Sequence, residues 1–180
     1  MSDDWHVTLM ASAASLPIIN ISPFLKDDRT QTTLESRKSA ATALHSACVN
    51  FGFFYLDVSA FVDPREPEEL VQLARKFFAL PQDEKDKISL NNEDGARGVF
   101  RRVTCLIISR RTGYARLKEN VTNGKADNHE GLDFYRPVEN PDKTRPLWGE
   151  NQWPTIPEFR VKYEQWTEKM KTLGLIVMKA

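Results

Sequence analysis

Apolar and polar residues follow two different spacings in the first third of the chain, and each spacing predicts an element. A short β-branched run at 16–21 and an aromatic run at 53–58 predict strands. Between them, apolar residues recur at helical spacing, which predicts a helix over 33–50 that ends at Gly52. The buried face of this helix is expected to carry Leu34, Ala41, Leu44, Cys48 and Phe51.

Prolines divide the middle of the chain into further elements. Pro67 suits the first turn of a second helix and Pro81 ends it. The charged run at 83–88 predicts a short helix with a solvated face, and 132–135 predicts a strand. The proline-rich stretch 137–154 is expected to form a loop.

The last predicted helix, over 155–178, is the longest. Thr155 and Glu158 have the spacing of a capping box at its start. Its apolar stripe then consists of Phe159, Tyr163, Trp166, Met170, Leu173 and Val177. The stripe needs a cover, either from the preceding elements or from a larger partner. The pattern as a whole predicts a mixed α/β (α+β) fold, with helices packed on a short partial sheet and a flexible leader at 1–15.

Composition excludes several classes of partner. The 180 residues include 25 Lys and Arg against 25 Asp and Glu, so charge gives no reason to expect nucleic acid or an anionic membrane as partner. No apolar run approaches the ~20 residues of a membrane helix. The acidic residues 1–4 do not resemble a targeting signal. Two cysteines, Cys48 and Cys105, make no disulfide framework and no zinc site, so a reducing cytoplasm is expected.

Residue patterns indicate no self-contained active site. A facial-triad iron site needs two histidines and a carboxylate. The histidines are His6 in the leader, His45 in the first helix, and His129. His129 and Asp133 are four residues apart in a segment that reads as a strand, where they would be separated by ~13 Å. We therefore predict no catalytic, cofactor-binding or metal-binding residues in this chain.

Several segments resemble, in order and spacing, one family of oxygenases. Residues 16–24 resemble the opening strand of the isopenicillin N synthase-like and plant-type 2-oxoglutarate oxygenases, and 48–56 resemble their helix-to-strand step. The match continues with residues 74–87, Gly-Tyr-Ala-Arg-Leu at 113–117, Glu119-Asn120, 130–135, Trp-Gly-Glu-Asn-Gln-Trp-Pro at 148–154, and 157–159. Residues 16–180 are accordingly identified as similar to the amino-terminal non-haem dioxygenase domain.

The resemblance implies an architecture and a chemistry for a full-length relative. The family places Fe(II) and 2-oxoglutarate in a double-stranded β-helix (jelly roll) that oxidises a small molecule, and that barrel is expected to be missing here. The partial sheet would join the barrel in an intact protein. Near the Gly-Tyr turn, a residue can line the mouth of the substrate cavity, which makes Arg97, Arg111 and Tyr114 candidates. The alternative is that Tyr114 packs in a strand and both arginines are solvated.

Residues 98–112 interrupt the family pattern. This 15-residue segment holds four arginines and no acid, and its removal would join Gly-Ala-Arg directly to Gly-Tyr. We interpret it as a translated intron or a mispredicted exon, an error that would also explain a stop after Ala180. The alternative is a basic loop that contacts an acidic partner.

Two functional classes remain open at this point. One is a fragment of an oxygenase that is active only in a full-length form. The other is a stand-alone, non-catalytic domain that docks a partner through the apolar face of its C-terminal helix.

Overall fold

The computed structural model describes residues 15–25, 30–92, 113–142 and 148–180. Contacts between Cα atoms divide them into two units. One contains the described residues up to Glu66 together with Thr167–Ala180, and the other is Pro67–Trp166. Of the elements described below, two helices, α2 and α4, contribute residues to both units. The predicted leader, apart from Ser15, and the segment 98–112 lie outside the described residues.

The first unit is built around a parallel pair of strands. β1 (Ile18–Asn20) and β2 (Tyr55–Asp57) pair with Ile18 opposite Tyr55, which confirms both predicted strands in shorter form. Helix α1 (Gln31–Asn50) connects them. A 3-10 turn, Ser22–Phe24, follows β1. The core of this unit consists of Ile19, Ile21, Ala47 and Leu173.

Helix α1 forms where predicted, and its predicted buried face is confirmed only at Ala41 and Leu44, which are half-buried. It begins at Gln31, where the Thr30 hydroxyl accepts a hydrogen bond from the backbone N–H of Thr33. Ala47 is its buried residue, whereas Leu34, Cys48 and Phe51 are exposed, so the predicted face is wrong at these three positions. The helix packs through small side chains that allow close approach, and small residues give a weak hydrophobic pattern.

The second unit contains helices and two antiparallel strand pairs. It contains most of helix α2 (Arg65–Phe78), then α3 (Gln82–Asp86) and the 3-10 turn Leu90–Asn92. Strand β3 (Gly113–Ala115) pairs with β6 (Gly131–Asp133), and β4 (Val121–Thr122) pairs with β5 (Lys125–Ala126). The core residues are Leu73, Phe77, Tyr114 and Phe159.

Helix α4 (Phe159–Lys179) confirms the predicted stripe but not the predicted start. All six stripe residues are buried or half-buried. The helix begins at Phe159 because Pro157 disfavours a helical conformation at Ile156, and Glu158 adopts a positive φ of 65°. Thr155 and Glu158 therefore do not form the predicted capping box. The stripe therefore packs at least partly within the chain.

The observed mixture of helices and strands agrees with the predicted α/β (α+β) class. The predicted short partial sheet differs from the observed strand pairing. The described strands form three separate two-stranded sheets, and none of them builds a jelly roll. A single sheet would need pairing between elements distant in the chain, which local patterns do not reveal. No described helix has the length and apolar character needed to cross a membrane.

Candidate functional site

Tyr114 lies at the centre of the second unit. Its side chain is completely buried, and its ring meets that of Phe77 edge-on at 5.8 Å between centroids. Its backbone N–H donates to the Ile88 carbonyl at 2.7 Å, and across the strand pair it faces Leu132. Position 114 is therefore held from both sides by backbone pairing.

A short polar network surrounds the Tyr114 hydroxyl. The hydroxyl donates to Glu130 Oε2 at 2.5 Å, and Lys85 Nζ donates to the same oxygen at 2.8 Å. Lys85 is only 7% exposed and lies 5.3 Å from the centroid of the Tyr114 ring. Glu130 directly precedes β6. One oxygen of its carboxylate thus connects this position to Lys85 of α3 and Tyr114 of β3.

These contacts shift the pKa of each group. Burial raises the pKa of Glu130, but the hydrogen bonds from Lys85 and Tyr114 outweigh it and leave the pKa below its ordinary value. The bond to Glu130 raises the pKa of Lys85, and burial raises the pKa of Tyr114. At neutral pH the network is a carboxylate held by one cation and one neutral phenol. This arrangement fixes structure and offers no free acid, base or nucleophile.

Acid should weaken this network. Because the pKa of Glu130 is lower in the folded than in the unfolded chain, its stabilising contribution is complete above the unfolded value of ~4.5 and is lost as pH falls through the folded value. We expect Glu130→Gln to be less stable than the native chain at pH 7, with a difference that shrinks below pH ~4.5. Thermal unfolding of both proteins from pH 7 to pH 3 measures this. A difference that stays constant over that range would contradict it.

Sequence reasoning missed Lys85 and Glu130. The run containing Lys85 was expected to be a solvated face, and that expectation is wrong at this residue because Lys85 turns inward to a carboxylate 45 residues away. Because the two residues are distant in the chain, local spacing gave no signal for this contact.

The residues that follow Trp148-Gly149 tie together separate segments of the second unit. Asn151 donates to the Tyr135 carbonyl at 2.7 Å and accepts from the Tyr135 backbone N–H at 2.9 Å. Gln152 donates to the Ser89 carbonyl at 3.0 Å. Trp153 stacks on Phe134 with ring centroids 4.2 Å apart. This motif is therefore explained by packing and hydrogen bonding.

A shallow cavity of about 200 Å³ lies beside this motif. Trp153, Arg160 and Glu164 contribute to its lining. The Arg160 guanidinium lies 5.4 Å over the Trp153 ring and pairs with Glu164 at 2.9 Å. These two lining charges thus neutralise each other.

The predicted mouth residues are not brought together in the described residues. Tyr114 is buried in a strand, as in the alternative considered from the sequence. Arg97 and Arg111 lie outside the described residues.

Within the described residues, no group of three His, Cys, Asp or Glu side chains could hold a metal ion. His45 and His129 are exposed and lie in separate units. The donor set of a facial-triad iron site is therefore not met by the part of the chain that the structure describes.

The sequence matches proteins of one family. Residues 16–156 match the family described as non-haem dioxygenase in morphine synthesis, N-terminal. A homoarginine-6-hydroxylase of rice (Oryza sativa subsp. japonica) is 32% identical over 171 residues, which cover 92% of this chain and 47% of the relative. A homoarginine-6-hydroxylase of Glycine max is 33% identical with the same coverage. The chain thus spans about half the length of these curated relatives.

Solved structures share the fold. A full-length protein of Neurospora crassa, solved in complex with alpha-KG, superposes with a TM-score of 0.61 at 22% identity over 91% of this chain and 45% of that protein. A 2OG-Fe(II) oxygenase family protein from Caulobacter crescentus gives a TM-score of 0.63 at 21% identity over 91% and 46%.

Proposed function

Because this chain belongs to the non-haem, 2-oxoglutarate-dependent dioxygenase family and matches its amino-terminal domain, we propose that it forms the amino-terminal part of an oxygenase that uses Fe(II) and 2-oxoglutarate to oxidise a small molecule. The observation that carries the proposal is the family match over 16–156 in a chain that spans only 47% of its rice relative. A cytoplasmic location is part of the same proposal.

The role that we assign to this part is structural support. The Lys85–Glu130–Tyr114 network offers no reactive group, and the described residues do not fit an iron site. We therefore assign iron, 2-oxoglutarate and substrate oxidation to a jelly-roll domain beyond the matched region. Arg97 and Arg111 stay candidates for the substrate mouth, and Tyr114 is better placed to hold that region than to touch substrate.

The competing proposal, a non-catalytic domain that docks a partner through its C-terminal helix, has less support. Met170, Leu173 and Val177 pack into the core of the first unit, and Phe159 packs into the core of the second. These contacts leave less of the predicted apolar stripe available to a partner.

Sequencing of the native transcript tests the proposal. We expect transcripts that continue past codon 180 into a His-x-Asp pair and a distal histidine in the same frame, and that join codon 97 to codon 113. A stop codon after Ala180 in all abundant transcripts would contradict the oxygenase proposal for this polypeptide.

We also propose that residues 98–112 are dispensable for folding. The turn Leu90–Asn92 and strand β3 approach to within 8 Å between Cα atoms, and Ser89 pairs with Tyr114. The ends of the intervening segment are therefore close in space. The five residues 93–97 that deletion would leave span up to ~17 Å, enough to close this gap.

Deletion of 98–112 is expected to preserve the fold and to raise the free energy of unfolding by about 1 kcal/mol, because a shorter loop costs less closure entropy. Circular dichroism and thermal unfolding measure this. As a control, deletion of 101–115 removes the same number of residues but includes β3, and it should abolish the second unit. A deletion of 98–112 that unfolds the protein like the control would contradict the proposal.

A further inference from the structure

The hairpin β4–β5 carries an Asn-Gly pair at its tip. Of the nine asparagines in the chain, Asn123 is the one that a glycine follows. Thr122 pairs with Lys125 across the hairpin, so Asn123 and Gly124 form a two-residue loop. Both loop residues have a positive φ, 51° and 76°, as in the hairpin loops that prefer Asn-Gly. The turn thus depends on two residues that tolerate this conformation.

The side chain of Asn123 and the backbone nitrogen of Gly124 are both accessible. The two residues are exposed, and a Cβ atom at position 124 would meet nothing within 4 Å. In the part of the chain that the structure describes, neither the Asn123 side-chain amide nor the Gly124 N–H has a hydrogen-bond partner. Because glycine has no side chain, its nitrogen is not shielded from a neighbouring group.

We propose that Asn123, a residue of a thermolabile type, is a site of spontaneous deamidation. The backbone nitrogen of Gly124 attacks Cγ of Asn123, so that a new C–N bond closes a cyclic succinimide and the C–N bond of the side-chain amide breaks. The proton of the Gly124 N–H leaves with the side-chain nitrogen as ammonia. Water then opens the ring at either carbonyl and gives aspartate or isoaspartate. Water is the co-reactant, and no group is oxidised or reduced.

Opening of the hairpin controls the rate of this reaction. The new ring contains the Cα–C bond of Asn123, so its closure requires a ψ that differs from that of the turn. The Thr122 hydroxyl donates to Asp127 Oδ2 at 2.9 Å and helps to keep the hairpin closed. All residues of β4 and β5 are exposed, so no buried side chain adds to this bond. A hairpin of this kind is marginally stable and opens locally.

Deamidation changes the hairpin in two ways. Both products carry a carboxylate where the amide was neutral, and isoaspartate also adds a methylene to the main chain of the loop. A two-residue loop does not accommodate an extra main-chain atom, so the pairing of Thr122 with Lys125 is lost. The core around Tyr114 involves other strands, so the second unit stays folded. The inference rests on the hairpin and not on the proposed oxygenase activity.

Prolonged incubation of the purified chain at mildly alkaline pH, followed by trypsin digestion and tandem mass spectrometry, tests the proposal. The tryptic peptide 119–125 contains both Asn120 and Asn123, so Asn120, which Val121 follows, is an internal control. A β-branched side chain shields the nitrogen that would attack Asn120. We expect deamidation at Asn123 to be at least about tenfold faster than at Asn120, with isoaspartate among the products.

Two variants test control by the hairpin. Thr122→Val nearly keeps the side-chain shape and removes the bond to Asp127, so it should accelerate deamidation of Asn123 about fivefold. Thr42→Val is the matched control, because the Thr42 hydroxyl donates to a carbonyl within α1, and it should leave the rate unchanged.

Deamidation at Asn123 that is no faster than at Asn120 would overturn the proposed site. Equal rates in Thr122→Val and Thr42→Val would overturn control by the hairpin. Circular dichroism spectra that match the native spectrum establish that both variants are folded.

Discussion

Gly113→Ala is expected to lower the free energy of unfolding by at least about 2 kcal/mol, because two costs add at this position. Gly113 has a φ of +115°, a conformation that an L-residue with a Cβ atom rarely adopts. A Cβ atom would also lie 2.4 Å from the Ile88 carbonyl oxygen and 2.7 Å from Gln152 Nε2. The Ile88 oxygen cannot retreat without losing the hydrogen bond from Tyr114.

Gly124→Ala is the matched control. Gly124 also has a positive φ, +76°, but a Cβ atom there would meet nothing within 4 Å. The Gly124→Ala substitution should lower the free energy of unfolding by about 1 kcal/mol, because only the conformational cost applies there. Urea unfolding of the native chain and both variants measures the difference. Equal losses in the two variants would show that the close approach of Ile88 and Gln152 to Gly113 has no energetic consequence.

Tyr114→Ala is expected to destabilise the chain by about 3–5 kcal/mol, the usual cost of truncating a fully buried aromatic side chain. The change removes the ring packed against Phe77 and opens a cavity in the core of the second unit. It also leaves Glu130 with Lys85 as the remaining partner of the network.

Tyr114→Phe separates packing from hydrogen bonding. It keeps the ring and removes the hydroxyl, which hydrogen-bonds Glu130 at 2.5 Å and Gln82 Oε1 at 3.4 Å, so it should lower the free energy of unfolding by about 1–3 kcal/mol, as for a bond to a charged acceptor. Urea unfolding at pH 7 again provides the measurement. If Tyr114→Phe cost as much as Tyr114→Ala, the ring would contribute nothing, and the assignment of Tyr114 to the core would be wrong.

Long amphipathic elements of this fold were predictable from the sequence. The stripe of α4 repeats at spacings of three and four over five turns, so its burial followed from periodicity. The strands β1 and β2 were recognisable because β-branched and aromatic residues are concentrated in them. Helix α1 shows the limit of the same reasoning. Its buried residue is Ala47, a small side chain that adds little to the hydrophobic pattern, so spacing alone placed Leu34, Cys48 and Phe51 wrongly on the buried face.

The first residues of helices were less predictable because several neighbouring residues can each cap the first turn. A capping box was expected at Thr155, where the backbone restriction imposed by Pro157 prevents it. Reciprocal bonds occur instead at the start of α2. There Asp63 accepts from the backbone N–H of Arg65, and Glu66 accepts from that of Asp63, both at 3.0 Å. The hydrogen bonds to Arg65 lower the pKa of Asp63 to about 2.

The polar network was not predictable from local patterns. Lys85, Tyr114 and Glu130 lie in three separate segments, and only the folded chain brings their side chains together. The family resemblance marked the segments that contain them without indicating that they touch. Long-range pairing of this kind has no signature in spacing or composition.

We propose that this chain is the supporting part of an oxygenase whose iron chemistry lies elsewhere in the polypeptide. The most direct test of this proposal is conversion of 2-oxoglutarate to succinate in the presence of Fe(II), measured for the 180-residue chain and for the longer product of the native transcript. We expect turnover by the longer protein and none by the 180-residue chain. Turnover by the 180-residue chain at the rate of the longer protein would contradict it.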